Sequence, residues 1–377
     1  MFDQPPVWFI VIAFLCAIGP LVFIHELGHY LVARWFGVGA EQFSIGFGRE
    51  IAGWTDKRGT RWKVGWLPLG GYVRFVGDMN PASQADANAD LSAEARAVAF
   101  HNKPWWQRFL IVLAGPVANF LLAIAIFAAF FTAYGRPNTP PVAGGIQVGS
   151  AAAQAKLRPG DRFLSIAGEA TDSFEDIARI VSIRADQQVI IRFERNGAVQ
   201  QASARVGKEI RRDEYGQPYE VGLLGVAPTP NRQFERLSVS QSIPAATSAT
   251  FNITKSIVVV VGQIVTGERS AKEIGGPLRM AQIAGQRAQL GIVDFIYLIA
   301  IISINLGFIN LLPVPMLDGG HLVFYAAEAV RRRPVGIRAQ DWAFRGGLAL
   351  LLALLVFTTV NDLASFGLFE RLGRLIG

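Results

Sequence analysis

Cysteine is nearly missing: Cys16 stands alone among 377 residues, inside an apolar run. A monomer can therefore form no intrachain disulfide and no cysteine-rich metal site, and the redox compartment is left open. Charge is scarce too, at 17% of residues against 51% hydrophobic. What that shortage means depends on distribution, because dispersed apolar residues build a water-soluble core and blocked ones build spans. Here they are blocked. Residues 7–35, 105–134, 292–312 and 343–366 are each long enough to cross a hydrocarbon layer, which takes roughly 20 residues of helix. Residues 1–6 contain no Lys or Arg and the first run far exceeds a signal-peptide core, so it reads as a permanent span. The expected fold is a polytopic α-helical membrane protein with four transmembrane helices.

Acidic residues are the minority, 29 against 36 Lys and Arg, for a net charge of +7. A basic balance can mark a nucleic-acid partner, but the positions of these residues follow membrane topology, and no nucleic acid is expected. Arg49, Lys57, Arg58, Arg61, Lys63, Arg74 and Lys103 fall between spans one and two, and Arg331, Arg332, Arg333 and Arg338 between spans three and four. Both segments are expected to face the cytoplasm, which puts the termini and the long segment 136–290 on the opposite side.

Between the spans, Trp62, Val64 and Trp66 alternate with Arg61, Lys63 and Gly65 behind a turn at 56–59. Residues 42–76 thus read as a small antiparallel sheet, either membrane-associated through its aromatics or half-buried in the ordinary way. Residues 80–97, rich in Ala, Asp, Asn and Ser, read as a mobile connection. From 141 to 228 the pattern changes to short β-prone runs at 162–166 and 189–194, glycine turns and one helical stretch near 174–183. The run GSAAAQAKLRPGDRFLSIAGEATDSFEDIARIV resembles a bacterial PDZ domain, an α/β module expected on the periplasmic side. By that resemblance Gly222, Leu223, Leu224 and Gly225 would receive a peptide carboxylate on their backbone N–H groups; a plain closing strand is the alternative. In the connector 229–290 the apolar run 257–265 is too short to cross, so interfacial or cavity-lining helices are expected there. The expected parcels are 1–36, 37–104, 105–135, 141–228, 229–290, 291–333 and 343–377.

Histidine is rare, four in all, and two occur in His25-Glu26-Leu27-Gly28-His29. Residues i and i+4 share a helix face, so both imidazoles can reach one metal, for which Zn²⁺ is the default ion. Glu26 lies beside that face, where it could take a proton from a water attacking a carbonyl. An isolated HExxH arises by chance, and helical histidines are commonly structural. This one lies in an apolar span, where ionisable groups are costly and point to function. A third ligand is needed; His101 and His321 remain, but Asp318 is the better candidate. It ends the third span in NLLPVPMLDGGH, where Pro313 and Pro315 interrupt the helix and Gly319 and Gly320 allow close backbone approach. Broken backbone at that depth must face protein or a cavity, so this segment is expected to line a substrate cleft. A water-facing helix end is the alternative for Asp318. Asn305 and Asn310, amides in the same apolar stretch, could hold a substrate backbone or stabilise charge on its carbonyl, or else bond helix to helix. Asn119 sits in AGPVANF among small residues that more often mean close helix packing. Neither GxSxG nor GxGD occurs in the spans, which disfavours serine and aspartyl chemistry.

HELGHY, FSIGFG, GGYVRF, AGPVANF, the PDZ-like insertion and NLLPVPMLDGGH occur in the order found in the site-2 proteases, and the chain resembles that family over most of its length. The resemblance implies one zinc ion held by His25, His29 and Asp318, Glu26 as general base, and a substrate-handling role for Asn310 and, more weakly, Asn305. It implies a multi-pass protein of the bacterial inner membrane, among lipids, with its active site toward the cytoplasm. Expected substrates are single-span proteins already shortened by another protease, such as anti-sigma factors, or signal-peptide remnants. A member with tandem PDZ domains is known, whereas this chain has room for one. A non-catalytic zinc-containing adaptor and a membrane-anchored zincin acting on loops are the competing readings.

Overall fold

The computed structural model describes residues 5–78, 92–212, 218–229 and 234–366. The expected mobile connection at 80–97 falls mostly outside the described residues, as does the chain beyond 366; within it, Ala93–Val98 is a short helix capped by the Ser92 side chain. Two compact units divide the chain: 1–126 with 275–360, and 127–274 with 361–377. The longer helices are α1 (Val7–Trp35), α2 (Trp105–Ala133), α3 (Phe174–Ser182), α4 (Val239–Thr266), α5 (Pro277–Leu290), α6 (Ile292–Leu311), α7 (Asp318–Arg331) and α8 (Ile337–Ser365).

By length and composition five helices among the described residues suffice to cross a membrane: α1, α2, α4, α6 and α8. The sequence yields four because the first half of α4 is rich in Ser, Thr, Gln and Asn. The apolar run 257–265 is only the end of a continuous helix that carries Pro244 inside it. The expected parcel 291–333, read as the third span, is two helices. Pro313 lacks the N–H that would bond Ile309 O, which instead accepts Leu312 N–H at 3.0 Å, and α6 stops. The chain then turns through Met316, held at φ +83°, and restarts at Asp318.

In the first unit, α1 packs on α5 through small residues. Ala13 and Ala17 are buried beside Ala284, and a Cβ at Gly285 would lie 2.8 Å from Ile10 Cγ1. Close backbone approach supplies contact where lipid gives no hydrophobic drive to associate. The strands β1 (Ala40–Thr55) and β2 (Arg61–Phe75) pair antiparallel around the Asp56–Thr60 turn. Both bend, so that Phe43 pairs with Val73 and also with Trp62, and Trp62 with Trp54. Aromatic contacts seat this sheet on α1: Trp62 stacks on Phe43 at 4.3 Å, and Tyr30 meets Trp62 edge-on at 5.2 Å.

The second unit contains the expected α/β domain. Strands β3 (Arg162–Ile166), β4 (Glu169–Ala170), β5 (Gln188–Arg195) and β6 (Ala198–Arg205) form a sheet of order β4-β3-β5-β6, while β7 (Gly207–Arg212) pairs with β8 (Pro218–Leu223). Alternation buries Val189, Ile191 and Phe193 on one face of β5 against Ile177 and Ile180 of α3. Asn196-Gly197, both at positive φ, supply the tight turn between β5 and β6. Ser173 and Asp176 cap α3 reciprocally. Lys255 of α4 pairs with Glu169 at 3.2 Å and Gln263 donates to Ile183 O at 2.6 Å, joining α4 to the domain.

Candidate active site

Helix α1 presents His25 and His29 on one face, as their spacing requires, and the restart of α7 brings Asp318 to them. His25 Nε2 lies 3.3 Å from His29 Nε2 and 3.1 Å from Asp318 Oδ2, and His29 Nε2 lies 3.5 Å from the same oxygen. Asp318 Oδ2 is buried yet has no hydrogen bond, an atom left for something other than protein. Neighbouring ligands of a tetrahedral zinc, at bonds of about 2.0–2.1 Å, stand roughly 3.3–3.4 Å apart, so the three atoms are spaced as such a site needs. Two imidazole nitrogens and one carboxylate oxygen are also the donor set that zinc prefers in open, catalytic sites.

Each imidazole is held from behind by α2. His29 Nδ1 donates to Ile111 O at 2.9 Å, and His25 Nδ1 meets the Asn119 amide at 3.1 Å. Both contacts leave the Nε2 atoms facing Asp318. Glycines make the approach possible: a Cβ at Gly28 would run into Ala114 O, and one at Gly115 into the His29 ring. Gly319 crosses the last carbonyls of α6 at Leu311 and Leu312, where a side chain would collide, which brings Asp318 close to the break.

The cluster opens into a cleft of about 540 Å³, walled by Gly70 to Val73 of β2 on one side and by Leu306, Asn310, Met316 and Leu317 on another. Glu26 lines it, 9% exposed, and a Cβ at Gly71 would come within 3.0 Å of Glu26 Cγ.

A model of peptidase family M50 matches residues 13–354. The chain belongs to that family. Metalloprotease MmpA of Caulobacter vibrioides is 39% identical over 390 aligned positions, covering 97% of this chain and 98% of that one. A protein of Agrobacterium fabrum whose name assigns it as a zinc metalloprotease is 43% identical over 360 positions, covering 94% and 96%. A solved PDZ domain of an SdrC-like protein from Listeria monocytogenes matches 23% of this chain and 84% of its own at 19% identity, with a TM-score of 0.19, too low to argue from. This M50 peptidase is therefore a zinc metalloendopeptidase of the site-2 protease family, with several apolar helices as in a multi-pass membrane protein.

Of the residues singled out in the M50 chain's sequence, His25, Glu26, His29, Asp318 and Asn310 meet in one cleft. Asn305, Pro313 and Pro315 are not among the residues that line it; the backbone breaks at the prolines, and Met316 and Leu317 between them and Asp318 do the lining. His101 is elsewhere, paired with Asp78 at 2.9 Å, while His321 lines the cleft one turn after Asp318. Gly222, Leu223, Leu224 and Gly225 line a separate groove of about 570 Å³ in the second unit, opposite Phe174, Ile177, Ala178 and Val181 of α3. Sequence reasoning undervalued Asn119, read as a packing position. The signal was there: a polar side chain in an apolar span, four residues after a glycine.

Proposed function

We propose that this chain cuts within the membrane, hydrolysing a peptide bond in the transmembrane segment of a single-span protein, and that His25, His29 and Asp318 hold its zinc. The observation that carries the reading is the buried convergence of α1 and α7 on one set of ligand atoms, with α1 itself long and apolar enough to span. Zinc, when bound, would polarise the scissile carbonyl. The Glu26 carboxylate takes a proton from the attacking water and returns it to the leaving amine. Asn310 holds the substrate backbone beside it. A helical substrate must first unwind, because its carbonyls are otherwise engaged in their own hydrogen bonds.

Lys and Arg flank spans one to two and three to four, which supports a cytoplasmic position for those segments and a periplasmic one for the PDZ-like domain in a bacterial inner membrane. Four spans, with α4 interfacial, fit that orientation. The domain's groove would screen substrates already shortened on that side, anti-sigma factors or signal-peptide remnants among them.

The test is Glu26→Gln, expressed in the native membrane and used to trap substrates. Zinc should stay bound while cleavage falls by about a thousandfold or more. Wild-type cuts mapped on the trapped chains should lie inside their spans. Cuts confined to loops would return the protein to the membrane-anchored zincins, and unchanged function in the variant would make it an adaptor.

A further inference from the structure

Asn119 is fully buried in α2. Its Nδ2 stands 3.1 Å from His25 Nδ1, while its Oδ1 is buried with no hydrogen-bond partner among the described residues. An unpaired buried polar atom costs about 1–3 kcal/mol. The backbone beside it is anchored, since Asn119 O accepts from Ser303 Oγ of α6 at 2.8 Å. An amide held in this way, with one face on an imidazole and the other on nothing, has His25 as its purpose.

An imidazole that offers Nε2 to a metal carries its proton on Nδ1 and needs an acceptor there. His29 has one in Ile111 O. For His25 the group in reach is the Asn119 amide. If Nδ2 faces the ring, it donates to a bare Nδ1. The His25 proton then sits on Nε2, aimed at Asp318 Oδ2 3.1 Å away, and the lone pair a metal needs is blocked. A half-turn of the amide exchanges two atoms of nearly equal size, and Oδ1 then accepts the Nδ1 proton. The same half-turn gives the oxygen a partner, moves the NH₂ to the place the oxygen held, and frees Nε2.

We propose that Asn119 is a positioning residue, which fixes the metal-binding tautomer of His25 by accepting its Nδ1 proton on Oδ1. This rests on His25 being a zinc ligand. The amide touches neither metal nor substrate; it sets which nitrogen is free and holds the ring toward Asp318.

Zinc affinity of the full-length protein, measured by competition with a chelator, tests it without reference to cleavage. Asn119→Leu keeps the volume and removes the acceptor, and should weaken zinc binding about 10–100-fold. Asn119→Asp restores an acceptor and should recover most of that loss. An Asn119→Leu affinity within twofold of wild type, or an Asp variant as weak as the Leu variant, overturns the proposal while the ligand assignment stands. Wild-type affinity in His25→Ala removes the ligand assignment and the proposal together. Should the Leu variant not fold, the zinc-loaded wild type decides: ¹⁵N-histidine NMR should find the proton of His25 on Nδ1, and a bare Nδ1 refutes the idea.

Discussion

In the second unit, buried carboxylates are answered by cations. Asp161, 1% exposed, takes two hydrogen bonds of 2.7 Å from Arg195, and Glu169 takes one of 2.5 Å from Arg184 and pairs with Lys255. In the first unit, the carboxylates around α1 have imidazoles for neighbours, and Asp318 Oδ2 has no hydrogen bond. The first arrangement is complete in itself and holds a fold together; the second is complete only when a cation is added. An unfinished buried polar cluster is thus the mark of the working site.

Several measurements can break or sharpen that contrast. Phe163 has no exposure in the core of the second unit, so Phe163→Ala should destabilise that unit by about 3–5 kcal/mol. Hydrogen exchange should show the loss in β3, β5 and α3, with zinc still bound. Next in size is Gly115→Ala, whose methyl would displace the His29 ring and lower cleavage about 100-fold. Gly346→Ala, which meets nothing within 4 Å, is its control and should cleave as wild type does.

Asp161→Asn should cost about 2 kcal/mol in the second unit, because Arg195 loses its partner. Burial pushes the Asp161 carboxyl up, but the hydrogen bonds from Arg195 and from Arg158 N–H outweigh it and hold the group below its ordinary range. Its contribution is therefore complete above the unfolded carboxyl's pKa, near 4, and is lost as pH falls through the lower native value. The gap between wild type and Asp161→Asn should close below about pH 4, read from melting curves across the acid range. Smallest is Asp186→Asn: its pair with Arg205 is exposed on both sides, and the melting curve should not move.

Much of the second unit was legible because its signals are local. The strand expected at 162–166 is β3, and the helix expected near 174–183 is α3, since alternation, turn residues and a capping pair lie within a few positions of one another. Where the pattern was read by apolar length alone it fell short. Helix α4 runs for 28 residues where the sequence marked only the apolar run 257–265, because polar residues that a helix tolerates dilute its first half. As amides in one apolar run Asn305 and Asn310 are alike, and the resemblance alone ranks Asn310 first; the packing of α6 places Asn310 among the residues that line the cleft.

By itself the chain determined the blocked spans, the His25 to His29 pair on one helix face and the break at Pro313, for each follows from spacing or from the missing proline N–H. The resemblance named Asp318 as the partner of those histidines, but only the tertiary structure brings it to them, leaves room for His29 at Gly115, and sets Asn119 behind His25. These pairs are separated by 86 to 293 residues, and a periodic pattern carries no information over such distances. They form because three helices pack closely enough for their small residues to let backbone and ring touch, a property of the whole packing that no single segment contains.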